Sequence, residues 1–139
     1  MIKRNKNIWE NYSLDDIEGE EWRDCLDYDG YYEVSDLGRI KSIYRIIVKS
    51  DGREMTIKPR ILKQHIKKKK DTRRKVRLYL MVSLNKDGIQ TNIPVHECVA
   101  KAFLKEEKDK PIIRHKNHNR FDNSATNLFY FSNEDETCP

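Results

Sequence analysis

The segment Arg114-His115-Lys116-Asn117-His118-Asn119-Arg120-Phe121-Asp122-Asn123 sets two histidines, three asparagines and an aspartate among three cations. Such a mixture suits phosphodiester chemistry. Breaking that bond in line needs an activated water, a neutral imidazole to take its proton, and hard ligands or cations to hold the charge that builds on phosphate. His115 is the candidate base, and Arg114, Lys116 and Arg120 are candidate phosphate contacts. The asparagines also have a plainer reading, because in turns their side chains tie down loop backbone.

A loop of this kind acts only when regular elements hold it. Pro111-Ile112-Ile113 reads as a short apolar strand and Phe129-Tyr130-Phe131 as its return, leaving 114–127 as the loop. Ser132 followed by Asn133-Glu134-Asp135-Glu136 reads as the capped start of a final helix. Upstream, Val76, Leu78, Leu80, Val82 and Leu84 alternate with Arg77, Tyr79, Met81 and Ser83, a strand with one face in the core. Asn85-Lys86-Asp87-Gly88 turns it into a partner, Ile89 to Ile93, and Pro94 ends that partner. Val95, Val99, Ala102 and Phe103 then fall at helical spacing, predicting an amphipathic helix over 95–104. Earlier still, turns at Asp27-Tyr28-Asp29-Gly30 and Ser35-Asp36-Leu37-Gly38 bracket a strand at Tyr31–Val34. A second strand follows at Arg39–Tyr44, with Ile40 and Tyr44 on one face, and Asp51-Gly52 marks a further hairpin. Residues 1–19 are polar and acidic without a period, and read as a mobile or loosely docked arm.

A length of 139 residues allows one domain or two small ones, and 37% charged against 37% hydrophobic residues leaves only a modest core. No apolar run approaches the roughly 18 residues of a membrane helix, and the basic start lacks the apolar stretch of a signal peptide. A soluble, cytoplasmic protein is expected. Cys25, Cys98 and Cys138 form no CxxC pair, which supports neither a disulfide framework nor a cysteine zinc cage. Charge is the more telling quantity. Residues 1–38 carry four basic against eleven acidic residues, 39–75 fifteen against three, and 76–139 nine against nine. The middle block holds Arg39, Lys41, Lys67, Lys68, Lys69, Lys70, Arg73, Arg74 and Lys75, interleaved with Tyr44, Ile61, Leu62 and Ile66. A surface that tracks phosphates has this make-up, so nucleic acid is the expected partner. The acidic arm would meet either a basic protein partner or the basic block itself.

These residues also resemble a known family. Val95-His96-Glu97-Cys98-Val99-Ala100-Lys101-Ala102-Phe103, then Ile113-Arg114-His115-Lys116-Asn117, then Asp122-Asn123 and Asn127-Leu128, resemble the HNH nucleases of the phage homing-endonuclease kind. Upstream, Trp22 followed by Tyr28-Asp29-Gly30-Tyr31-Tyr32-Glu33-Val34-Ser35-Asp36-Leu37-Gly38-Arg39-Ile40-Lys41-Ser42 is similar to NUMOD4, a small module that precedes such nuclease domains. A match this long is far more specific than a short motif. The resemblance implies an α+β chain in three parts. These are an acidic flexible arm at 1–19, a small antiparallel NUMOD4-like β module with a basic DNA-facing block at 20–75, and a ββα-metal (HNH) domain at 76–139.

It implies roles as well. In such nucleases strand, loop, strand and helix hold one Mg²⁺ or Mn²⁺ against a phosphate of double-stranded DNA. His115 matches the general base, Asn127 the asparagine that pins the loop through backbone hydrogen bonds, and Glu136 the third position, where a carboxylate is a sound ligand. Position 114 departs from the family, which has Asp, Asn or His there as first ligand; Arg114 is a permanent cation and ligates no metal. His118 and Asp122 are the substitutes. One reading is a DNA endonuclease with His115 as base, Glu136 with Asp122 or His118 holding the cation, and Arg114 clamping phosphate. The alternative is a catalytically lapsed HNH-fold protein that binds nucleic acid or inhibits a host nuclease. Other residues read as structural: His96 as a helix cap or packing residue, Cys98 as small core, and Trp22, Tyr28, Tyr31 and Tyr32 as the core of a thin β unit.

Overall fold

A computed structural model describes residues 7–70, 74–106, 109–110 and 112–132. The first sheet grows from the two tight turns read in the sequence. Gly30 and Gly38 both adopt positive φ, +82° and +100°, which lets the chain reverse twice within a few residues. Strand β1 (Trp22–Asp24) pairs antiparallel with β2 (Tyr32–Ser35), β2 with β3 (Ile40–Ser42), and β3 with a short β6 (Arg60–Ile61). Val34 and Ile40 face each other in register and are fully buried, with Tyr32 and Leu62 beside them. Tyr44 lies beyond the end of β3 and is exposed, so it does not share the Ile40 face; the strand is too short to carry it. Strands β4 (Arg45–Val48) and β5 (Glu54–Ile57) form a separate hairpin across the turn at Asp51-Gly52.

The second sheet is β7 (His65–Lys70), β8 (Val76–Lys86) and β9 (Ile89–Pro94), all antiparallel. Asp87 and Gly88 both have positive φ, 54° and 78°, as a type I′ hairpin requires. Only half of β8 meets the core expectation. Leu80, Val82 and Leu84 are fully buried, whereas Val76 and Leu78 are exposed because they lie opposite Lys70 and Lys68, beyond the edge of the core. The division expected between residues 75 and 76 runs through this sheet.

Helix α1 (Val95–Phe103) follows Pro94 directly and buries Val95, Cys98, Val99 and Ala100. It packs against β1, β2, β8, β9 and the last two strands, so one short helix organises both sheets. Those strands are β10 (Ile112–His115) and β11 (Leu128–Phe131), paired with His115 opposite Leu128. Arg114 and His115 therefore belong to a strand and not to the loop; backbone pairing with β11 carries the ladder to the histidine. Pro111 and the helix expected after Ser132 lie outside the described residues, and no described helix is long and apolar enough to cross a membrane. The described residues form an α+β arrangement, mostly antiparallel sheet around one α-helix.

Of the two readings of the arm, mobile or loosely docked, the described part takes the second. Residues 7–19 are docked, and Arg39 is what holds them. Its side chain has no exposed surface, and all five guanidinium donors are engaged: Nε and one Nη2 proton with Glu20 at 2.9 and 2.5 Å, the rest with the backbone carbonyls of Asn11, Ser13 and Asp15. Burial pushes the Glu20 carboxyl up, but the Arg39 guanidinium and the Ile17 N–H outweigh it and hold it below the usual carboxylate range. Trp9 then closes on Phe121, ring centroids 6.0 Å apart. Arg39 is thus corrected from a nucleic-acid contact to an internal clamp, since a buried guanidinium with every donor taken reaches no phosphate.

Candidate active site

His115 ends β10 with its ring turned inward and is 8% exposed. Its Nε2 lies 2.6 Å from the Oδ1 of Asn123, itself buried. Burial lowers the imidazole pKa below the ordinary histidine range, with Asn123 pulling back upward and Arg120 adding to the fall. The ring is therefore neutral near pH 7 and able to accept a proton.

The loop that follows is built from asparagine turns. Asn117 Oδ1 accepts from the Asn119 N–H, and Asn119 Oδ1 from the Phe121 N–H. Asn127 closes the ring: its Oδ1 accepts from the Asn117 N–H at 3.1 Å, and its Nδ2 donates to the Asp122 carbonyl at 2.8 Å. Asp122 is drawn into the same network, accepting from Asn117 Nδ2 and from the Ser124 hydroxyl. His118 sits in a left-handed turn, φ 61°, and is exposed. The structure does not gather Asp122 and His118 into a ligand set. Among the described residues no three His, Cys, Asp or Glu side chains converge on a point, and Glu136 lies outside them. With a cationic arginine at position 114, the described donors do not fit a divalent ion.

Cations and rings line the space in front of His115 instead. An open cleft of about 500 Å³ is bounded by Lys69, Arg77, Tyr79, His96, Arg114, His115, Lys116, His118, Arg120 and Phe129. Arg114 lays its guanidinium 4.0 Å from the Phe131 ring centroid. Burial lowers the Arg120 pKa, and Arg77 and Arg114 lower it further, so three guanidinium groups repel one another across the cleft. His96 opens α1 with its ring 5.5 Å from that of His115 and 6.2 Å from that of Tyr79. Burial first, then His115, push its pKa down to about 4, and its Nδ1 is buried without a partner.

Of the basic block, Lys67, Lys68, Lys69 and Lys70 form exposed β7, and Arg74 and Lys75 are exposed beside β8. Lys69 is in register with Arg77, which joins this strip to the cleft. Arg73 lies outside the described residues. Lys41 is away from the strip, its ammonium 4.2 Å over the Trp22 ring and 3.6 Å from Glu33. The sequence reading missed Arg77 and Tyr79, which occupy the alternate face of β8, and it left His96 as packing and Asn123 as a loop tie. The polar face of the β8 alternation was the available signal.

Comparison with known proteins shows what the chain is similar to. The NUMOD4 motif matches residues 20–85. The DNA endonuclease I-HmuI of Bacillus phage SP01 is 31% identical over 108 residues, 78% of this chain and 50% of that protein. A solved structure of DNA binding and cleavage by the HNH homing endonuclease I-HmuI superimposes with a TM-score of 0.54 at 26% identity, covering 84% of this chain and 55% of the other. Over most of its length the chain is similar to a phage HNH homing endonuclease, and it carries a NUMOD4 match. It spans about half the length of the relatives it matches. At the residue before the histidine, where the resemblance implied a metal ligand, this chain carries Arg114 stacked on Phe131.

Proposed function

We propose that the protein is a DNA endonuclease in which His115 is the general base. One observation carries the reading: a buried, neutral imidazole faces a cleft lined by cations, with one ring nitrogen held by Asn123. Nδ1 takes the proton from an attacking water. Arg114, Arg120 and Arg77 hold the phosphodiester and answer the negative charge that grows on its oxygens. Asn127 keeps the loop in shape for both tasks. The strip Lys67–Lys70 with Arg74, Lys75 and Lys116 follows the backbone of double-stranded DNA on either side of the cut. A divalent cation, Mg²⁺ or Mn²⁺, would need Glu136 as a ligand.

The test is conversion of supercoiled plasmid to open-circular or linear DNA in Mg²⁺, in Mn²⁺ and in EDTA. Cleavage is expected from the parent and not from His115→Ala, whose DNA binding stays within about threefold, roughly 0.7 kcal/mol. Equal cleavage by both removes His115 from the mechanism. Arg114→Asn restores a hard donor beside the histidine and should raise metal-dependent cleavage; no gain means that the loop holds no metal.

Arg114 itself favours a second reading, in which the fold grips nucleic acid without cutting it. Intact plasmid in every lane, with DNA binding retained, selects that reading. The docking of residues 7–19 on Arg39 argues against those residues as a surface for a host nuclease, because their backbone acceptors are taken internally.

A further inference from the structure

Asn123 does more than tie down its loop. The residue is 3% exposed, and its side-chain Oδ1 lies 2.6 Å from His115 Nε2. An amide oxygen accepts and cannot donate, so this contact requires the proton on Nε2 and leaves the lone pair on Nδ1. The opposite amide orientation would put an N–H against Nε2, forcing the proton onto Nδ1 and removing the basic nitrogen from the cleft. Which way the amide faces therefore decides which nitrogen is the base.

The upstream module packs directly against Asn123. Gly38, at φ +100°, lies so close that a Cβ there would stand 3.2 Å from Asn123 Cβ and 3.3 Å from its carbonyl oxygen. Gln64 Nε2 donates to the Gly38 carbonyl at 2.8 Å, and the Ala125 N–H donates to the Asp36 carbonyl at 2.7 Å. The Ser35–Gly38 turn is thus held from one side by Gln64 and presses on Asn123 from the other. Among the described residues Asn123 Nδ2 and Gln64 Oε1 are buried with no hydrogen-bond partner.

We infer that Asn123, seated on Gly38, is a positioning residue that fixes the Nε2–H tautomer of His115 and so leaves Nδ1 as the base. This rests on the endonuclease reading for its consequence, but not for its test. The tautomer is read directly from long-range ¹H–¹⁵N correlations of the histidine rings in the full ¹⁵N-labelled chain near pH 8, with His115→Gln to assign the signal. The parent should show His115 protonated at Nε2. Asn123→Leu, which removes the acceptor at similar volume, should give a mixture of tautomers and a cleavage rate lower by about tenfold or more. Asn123→Asp keeps an acceptor and adds a charge, so it should keep Nε2–H, raise the His115 pKa and move the acid limb of the cleavage profile to higher pH. Nδ1–H in the parent overturns the inference, as does an unchanged tautomer in a folded Asn123→Leu. If Asn123→Leu does not fold, the parent tautomer and the Asn123→Asp titration decide alone. Absence of cleavage in all variants with the expected tautomers intact would overturn the endonuclease reading and leave this one standing.

Discussion

Burial lowers the pKa of both His96 and His115, and the large shift is that of His96. His96 is held neutral, its pKa pushed down to about 4 by burial and by His115. The unfolded chain binds that proton more readily, so stability is complete above the ordinary histidine pKa and declines as pH falls toward 4. The loss is on the order of 2–3 kcal/mol. His96→Phe should flatten this part of the curve, measured as urea midpoints between pH 7 and pH 4.5; a parallel decline in both proteins would show that His96 does not set it. His115 was visible in the sequence as an imidazole among cations, and the asparagines around it as turn formers. The partnership of His115 with Asn123 was not, because seven residues of loop separate them and the contact depends on how that loop folds back.

At the level of elements, the alternation in 76–84 and the change of period after Pro94 placed β8 and α1 closely, since hydrophobic period reports local geometry directly. The same alternation misjudged Val76 and Leu78, because period says which side a residue faces and not whether anything covers that side. Arg39 was the larger misreading. Charge counting assigns an arginine in a basic stretch to solvent or phosphate, and nothing local reveals that Glu20 and three carbonyls of the arm enclose it. Removing one member of a buried pair leaves the other charge uncompensated, so Glu20→Ala should cost about 3–5 kcal/mol in urea unfolding. A cost below about 1 kcal/mol would mean that the clamp is solvated. Glu20 has its carboxyl pKa lowered, so its contribution is present above the ordinary carboxylate range and fades as pH drops below it.

For the whole molecule, the charge distribution sets how binding responds to salt. Each neutralised phosphate steepens the fall of log affinity with log salt by about 0.9. Replacing Arg114 and Arg120 together with glutamine should reduce that slope by about 2 and weaken binding alike across DNA sequences. An unchanged slope in fluorescence anisotropy titrations would take both residues off the backbone. The seat of Asn123 on Gly38 has a consequence in time as well. On the ribosome the Ser35–Gly38 turn emerges long before the segment that carries His115, and β2, β3 and the docked arm can assemble while that segment is still being made. The last strands to appear find their resting place already formed. Until they reach it, nothing fixes the histidine ring, and a chain released early carries the basic strip without an aimed imidazole.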